Sequence, residues 1–218
     1  MKPRATAKKT PHPRPGLSRE RILGAALGLV DREGLAAVSM RRVGDELGVE
    51  ATSLYNHVAN KAAILDGVFE AVLAEIAAPP PACGWREALR ARALALRAAL
   101  RAHPNALPLF ATRPAVTPAS LAHVEGALEA LHGAGFGVDE ALSALGALAA
   151  FVVGHALSSY GLREAAAAPR PTYERLPTEA FPRVREASCV LTDHDLEAEF
   201  EFGLGTLLDG LSARLGRG

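Results

Sequence analysis

The chain has 218 residues, 49% of them hydrophobic, with 24 basic and 24 acidic side chains. This is enough apolar material for a substantial core in one large or two unequal domains, so a globular protein is the default. No window reaches the roughly 18 uninterrupted apolar residues of a membrane span, and the N-terminus lacks the apolar stretch of a secretory signal, so the expected location is the cytoplasm.

The zero net charge conceals an asymmetry. Residues 1–61 carry eleven Lys and Arg against six Asp and Glu, whereas the remainder carries thirteen against eighteen, a basic head on an acidic body. Cys83 and Cys189 lie far apart and fit no C-x-x-C pattern, so they read as reduced structural thiols.

Residues 1–16 hold five cations, four prolines and no acid, a composition that cannot build a core; they read as a disordered basic arm. From Leu17 to Glu33, Ile22, Leu23, Ala26, Leu29 and Val30 recur on one helical face. Ser18 is the natural N-cap, Leu17 and Ile22 form a hydrophobic staple, and Gly34 supplies a left-handed stop. Ser39 caps a second, two-turn helix with Val38 and Val43 as its staple, ending at Gly48. The segment from Glu50 to Val58 is too short to stand alone and must be held by Val49, Leu54 and Val58, which frees its other side for a partner. Asn60 caps the next helix, which continues to the Pro79-Pro80-Pro81 block, where a domain seam is expected.

Beyond the prolines, alanine- and leucine-rich helices are expected near Trp85 to Ala102, Pro104 to Phe110, Pro118 to Leu131 and Val138 to Leu162. Residues 165–178 contain three prolines and read as a loop, followed by a short helix around Glu179 to Ala187. The last helix starts after Thr192, its expected cap, and carries a stripe from Leu196 through Phe200, Leu204, Leu208 and Leu215. No strand alternation or internal repeat is present, so the expected class is all-α: a three-helix head at 17–77 and a larger helical domain at 84–218.

Two helices joined through a glycine turn, DELGVEATSLYNHV, match a helix-turn-helix, whose second helix enters the DNA major groove. Leu47-Gly48-Val49 followed by Ser53-Leu54-Tyr55, His57-Val58 and Asn60-Lys61 resembles the signature of the TetR family of transcriptional regulators over residues 18–76. The resemblance implies that Tyr55 and Lys61 hold phosphates. Such contacts fix register without reading sequence, since a phenol donates to a phosphate oxygen and an ammonium is a point charge. Thr52, Ser53 and Asn56 are left to approach base edges, and Arg41 is placed like the family's guanine-reading arginine. His57 reads equally as a DNA contact or a hydrogen-bonded structural histidine. Ala51, Thr52 and Asn56 stand where the namesake repressor of the family has glutamine, proline and tryptophan, so a different operator is expected.

The resemblance also implies a homodimer built on Val138 to Leu162 and Leu196 to Leu215. Gly146, Ala149, Ala150 and Gly154 would let backbones approach there. The twofold dimer in turn requires palindromic double-stranded operator DNA. An effector cavity in the larger domain is expected to use Arg92, Leu96, His103, Phe110, Thr112 and His155. The namesake's metal-binding histidine and glutamate positions fall near Leu109 or Phe110 and at Ser158, so neither a metal nor another cofactor is expected.

No H-E-x-x-H, P-loop or G-x-S-x-G element supports an enzyme, and Gly133 to Gly137 follows a helix and reads as a turn. Thr192 to Asp195 is explained by helix capping more simply than by metal binding. The rival reading is a helical dimerisation or scaffold protein that does not bind DNA.

Overall fold

The computed structural model describes residues 16–80, 83–165, 176–191 and 195–216. The basic arm apart from Gly16, residues 166–175 of the proline-rich loop, the Thr192 cap and the Cys189 side chain lie outside the described residues.

Among the described residues the protein is built from ten α-helices and no strands. They are α1 (Arg19–Glu33), α2 (Met40–Leu47), α3 (Ala51–Leu54), α4 (Lys61–Ala74), α5 (Trp85–Ala102), α6 (Leu107–Thr112), α7 (Pro118–Gly133), α8 (Val138–Ala165), α9 (Pro182–Leu191) and α10 (Leu196–Leu215). Short 3₁₀ turns at Leu35–Ala37 and Pro104–Ala106 join α1 to α2 and α5 to α6.

The helix starts follow local chemistry. Ser18, Ser39 and Asn60 accept hydrogen bonds from the backbone N–H groups of Arg21, Arg42 and Ala63, satisfying donors that a helix start leaves orphaned. Gly34 ends α1 at φ 82° and ψ 173°, a positive-φ stop that lies outside the expected left-handed helical region. Three other boundaries also differ from expectation. The regular part of the segment after Gly48 is only Ala51–Leu54, continued by a turn through His57. The helix expected near Glu179 begins instead at Pro182, where proline has no N–H to lose in the first turn. α10 is capped by Asp195, whose carboxylate accepts from the Glu197 N–H at 2.8 Å.

Two apolar clusters organise the chain. The head core comprises Ile22, Ala26, Leu29, Val30, Val38, Val43, Leu54, Val58, Ile64, Val68 and Val72. It extends into Ala99, Ala106 and Leu109, so the head rests directly on the α5–α6 corner. The body core gathers Leu89, Leu100, Leu131, Phe136, Val152, Phe200, Leu204 and Leu208 around α8, which packs on α5, α6, α7 and α10. Gly133 to Gly137 is the expected turn, with the Phe136 N–H donating back to the Leu131 carbonyl at 3.1 Å. By length and composition alone, Val138–Ser159 of α8 could cross a membrane, with a mean hydropathy of 1.8. In the structure this stretch runs through the body, and 33% of it is buried within the single chain.

Candidate nucleic-acid interface and effector cavity

α2 and α3 meet through a compact turn. Gly48 adopts φ 67° and ψ 34°, the left-handed conformation that ends a helix at little cost for glycine. The Val49 N–H then donates to the Gly44 carbonyl at 3.0 Å. Gly44 is required by proximity, since a Cβ there would stand 2.8 Å from the Val49 carbonyl oxygen. The geometry of this turn sets the angle at which α3 leaves the head.

Leu54 and Val58 anchor α3 and its following turn, at 0% and 4% exposure. Because these two side chains point inward, Thr52, Tyr55, Asn56, His57 and Lys61 are exposed and Ser53 is half-buried. Tyr55 is 56% exposed, so it does not serve to cover a helix interface. Arg41 and Thr52 border an open hollow between α2 and α3, shared with Asp45, Gly48, Val49, Glu50 and Ala51. The Arg41 side chain is 89% exposed and comes no nearer than 4.0 Å to Asp45. Lys61 is the first residue of α4, where the N-terminal backbone donors already favour negative charge. Six of the seven residues expected on the DNA side are therefore exposed and Ser53 is half-buried, at the corner of the head formed by α2, α3 with its following turn and the start of α4.

Ion pairs brace that corner from behind. Arg32 meets Glu46 at 2.8 Å, Arg42 meets Glu33 at 2.6 Å, and Arg19 meets Glu70 at 3.0 Å. Glu20 is held below the usual carboxylate range by backbone hydrogen bonding at the start of α1 and by Ser18, with smaller contributions from Arg19 and His57.

The six residues expected to line one effector cavity are dispersed. Arg92 donates to the His123 carbonyl at 3.2 Å and lies against Gly126 of α7, with its Nε buried and unpartnered; burial pushes its pKa down. Leu96 packs half-buried on the body core. Phe110 sits against Phe69 with ring centroids 4.7 Å apart, at the joint of the two cores. The Thr112 hydroxyl donates to the Pro108 carbonyl at 2.7 Å and is exposed. His103 lies between two carboxylates of the head, its Nδ1 2.9 Å from Asp31 and its Nε2 3.1 Å from Glu75. His155 faces a space of about 110 Å³ lined also by Arg97, Arg101, Ala156, Ser159, Leu196 and Glu197.

Sequence reasoning missed Arg97, Arg101 and Glu197, and also Arg113, which pairs with Asp66 and reaches the Ala62 carbonyl of α4. The spacing of Arg97 and Arg101, one helical turn apart, is visible in the sequence, but their partner a hundred residues away is not. Among the described residues no cluster of His, Cys, Asp and Glu is arranged to hold a metal ion.

Comparison with known proteins agrees with this architecture. Residues 22–68 match the family model "Bacterial regulatory proteins, tetR family", and residues 78–215 match "Tetracyclin repressor-like, C-terminal domain". The chain is 34% identical to the class E tetracycline repressor of Escherichia coli over 203 residues, covering 91% of this chain and 92% of the relative. It is 39% identical to an HTH-type transcriptional regulator of Saccharopolyspora erythraea over 142 residues, 65% of this chain and 60% of that protein. Among solved structures, Streptomyces coelicolor ActR in complex with actinorhodin superposes with a TM-score of 0.82 at 31% identity, over 92% of this chain and 99% of ActR. The chain belongs to the TetR family of helix-turn-helix transcriptional regulators.

Proposed function

We propose that this regulator is a homodimeric repressor that releases a palindromic operator when a small molecule enters the body. Residues 17–77 form the DNA-binding head, and residues 84–218 form the effector-binding and dimerisation domain. The reading rests on one observation above all. Leu54 and Val58 are sunk in the head core, which turns Thr52, Tyr55, Asn56, His57 and Lys61 outward together. Tyr55 and Lys61 hold phosphates at the positive end of α4, while Thr52, Ser53, Asn56 and Arg41 meet base edges.

Dimerisation uses the outward faces of α8 and α10. Gly146, Ala147, Ala150 and Gly154 form an exposed strip of small side chains along α8, bordered by Leu142 and Leu157 at 58% and 44% exposure. Phe202 projects from α10 at 77% exposure. A second copy covers this surface as a helical bundle, and small residues permit close backbone approach. The apolar length of α8 is thereby accounted for by a protein partner, in keeping with a soluble, non-enzymatic chain acting in the cytoplasm. Phe202→Glu is expected to shift the chain from dimer to monomer in analytical ultracentrifugation; an unchanged sedimentation coefficient would contradict the α10 contact.

Effector control is supported by the likeness to ActR, which has been solved with actinorhodin bound. Selection of bound sequences from a random duplex library tests the whole reading. The expected outcome is a twofold-symmetric site with half-sites about one DNA turn apart. Failure to enrich any sequence would overturn it.

A further inference from the structure

The last two turns of α5 set Arg97 and Arg101 on the same side, facing the first turn of α10. One carboxylate serves both, with Glu197 accepting from Arg97 Nη1 at 2.5 Å and from Arg101 Nη1 at 2.6 Å. The two cations differ in freedom. The Arg97 side chain is 10% exposed and its guanidinium lies 4.2 Å over the Phe200 ring, whereas Arg101 is 52% exposed. Glu197 itself is 59% exposed, so this carboxylate can leave for solvent without being pulled through the core.

Behind the pair lies the cavity of about 110 Å³, and His155 forms part of its wall. His155 is 8% exposed and packs edge-on against Phe200 at 5.1 Å. Its Nδ1 is 3.3 Å from the Ser159 hydroxyl, which donates to the His155 carbonyl at 2.8 Å. Its Nε2 is sealed from solvent and makes no hydrogen bond of ordinary geometry, although the Leu196 backbone lies close enough to favour the charged imidazole. Burial, and then the charge of Arg97, lower the His155 pKa; Glu199, the Leu196 backbone and Glu197 act in the opposite direction. A buried polar atom left unpaired is rare in native proteins and calls for an explanation.

The geometry points to this cavity as the seat of the effector's acidic group, the ligand being a hydroxy acid. Its carboxylate displaces Glu197 from Arg97 and Arg101, and its hydroxyl pairs with His155 Nε2. A guanidinium pair recognises a planar carboxylate through charge-assisted hydrogen bonds. A hydroxyl both donates and accepts, so it satisfies Nε2 in either tautomer of the imidazole. Withdrawal of the Glu197 side chain enlarges the cavity for the rest of the ligand. Glu197 thus acts as a built-in competitor that keeps the arginines paired until the ligand arrives. The site also sits where it can be felt by the head, since Arg101 is two residues before His103, which touches Asp31 of α1 and Glu75 at the end of α4. The inference rests on the proposed entry of a small molecule into the body.

The test is calorimetric titration of the full-length chain with salicylate and with its neutral counterpart salicylamide. Salicylate is expected to bind at least about tenfold more tightly than the amide. Glu197→Gln is expected to tighten salicylate by about tenfold, and Arg97→Gln to abolish the preference for the acid. Arg101→Gln, at an exposed position, provides the same readout if Arg97→Gln does not fold. Equal affinity for acid and amide, or no salicylate binding, would overturn the inference. So would a Glu197→Gln chain that only melts earlier, since that result assigns Glu197 to tethering α10 on α5. Operator retention is measured on the same preparation without salicylate. Retained operator with no salicylate binding sinks this inference alone, whereas lost operator binding sinks the regulator reading beneath it.

Discussion

Cations in the two halves of the molecule are held in opposite ways. At the α2–α3 corner of the head, Arg41 is 89% exposed with Asp45 no closer than 4.0 Å, and Lys61 has no ion-pair partner among the described residues. In the body and at its joint with the head, Arg97 is nearly buried against Glu197, and Arg113 is tucked against Asp66 of α4. A buried guanidinium must carry its counter-ion with it, because desolvation of an unpaired charge is prohibitive. A surface that meets a polyanion gains nothing from such pairing, since an internal carboxylate would compete with phosphate. The contrast separates a corner whose cations stand free of close carboxylates from a body and joint where Arg97 and Arg113 are paired, while Arg92 of the body leans on a backbone carbonyl instead.

The largest expected effect breaks the support under the receptive face. Leu54→Ala empties a fully buried position beneath α3 and should cost about 2–5 kcal/mol of stability, measured by urea unfolding, with loss of operator binding. Next in size, Asn56→Ala should erase about 1–3 kcal/mol of discrimination at one base pair, read by competition between operator variants. Lys61→Ala should instead weaken all duplexes alike and lower the slope of log affinity against log salt by about one. If the two exchanged behaviour, base-reading and phosphate-holding roles would be reversed.

The smallest expected effect sits at the joint. Burial alone would lower the His103 pKa, but hydrogen bonds donated by the ring to Asp31 and Glu75 and the charges of both leave it raised above the ordinary 6.5. The stability this histidine contributes is therefore fully present below pH 6.5 and is lost as pH rises through the higher folded-state value. Melting temperature followed across this window should fall in the native chain more steeply than in His103→Gln. Parallel curves would show that the contact carries no linkage.

What could be read from the sequence follows the range of the forces involved. Ser18, Ser39 and Asn60 cap the helices they were expected to cap, because an N-cap bond spans three residues. The limits of α5 and the inward turn of Leu54 and Val58 were legible for the same reason, as products of local periodicity. The reciprocal capping of Thr117 and Ser120 was equally local and was overlooked. His103 could not be placed in this way: its partners Asp31 and Glu75 lie 72 and 28 residues off, brought together only when α5 docks on the head. Nor could the bridge from Arg97 to Glu197, which depends on α10 returning across α5.

A salt titration of the selected operator by fluorescence anisotropy decides whether the α3 corner, rather than another surface, meets DNA. The expected result is a log-linear fall in affinity with salt, two chains bound per duplex, and a shallower slope for Lys61→Ala. Affinity independent of salt, or a slope unmoved by loss of Lys61, would contradict it.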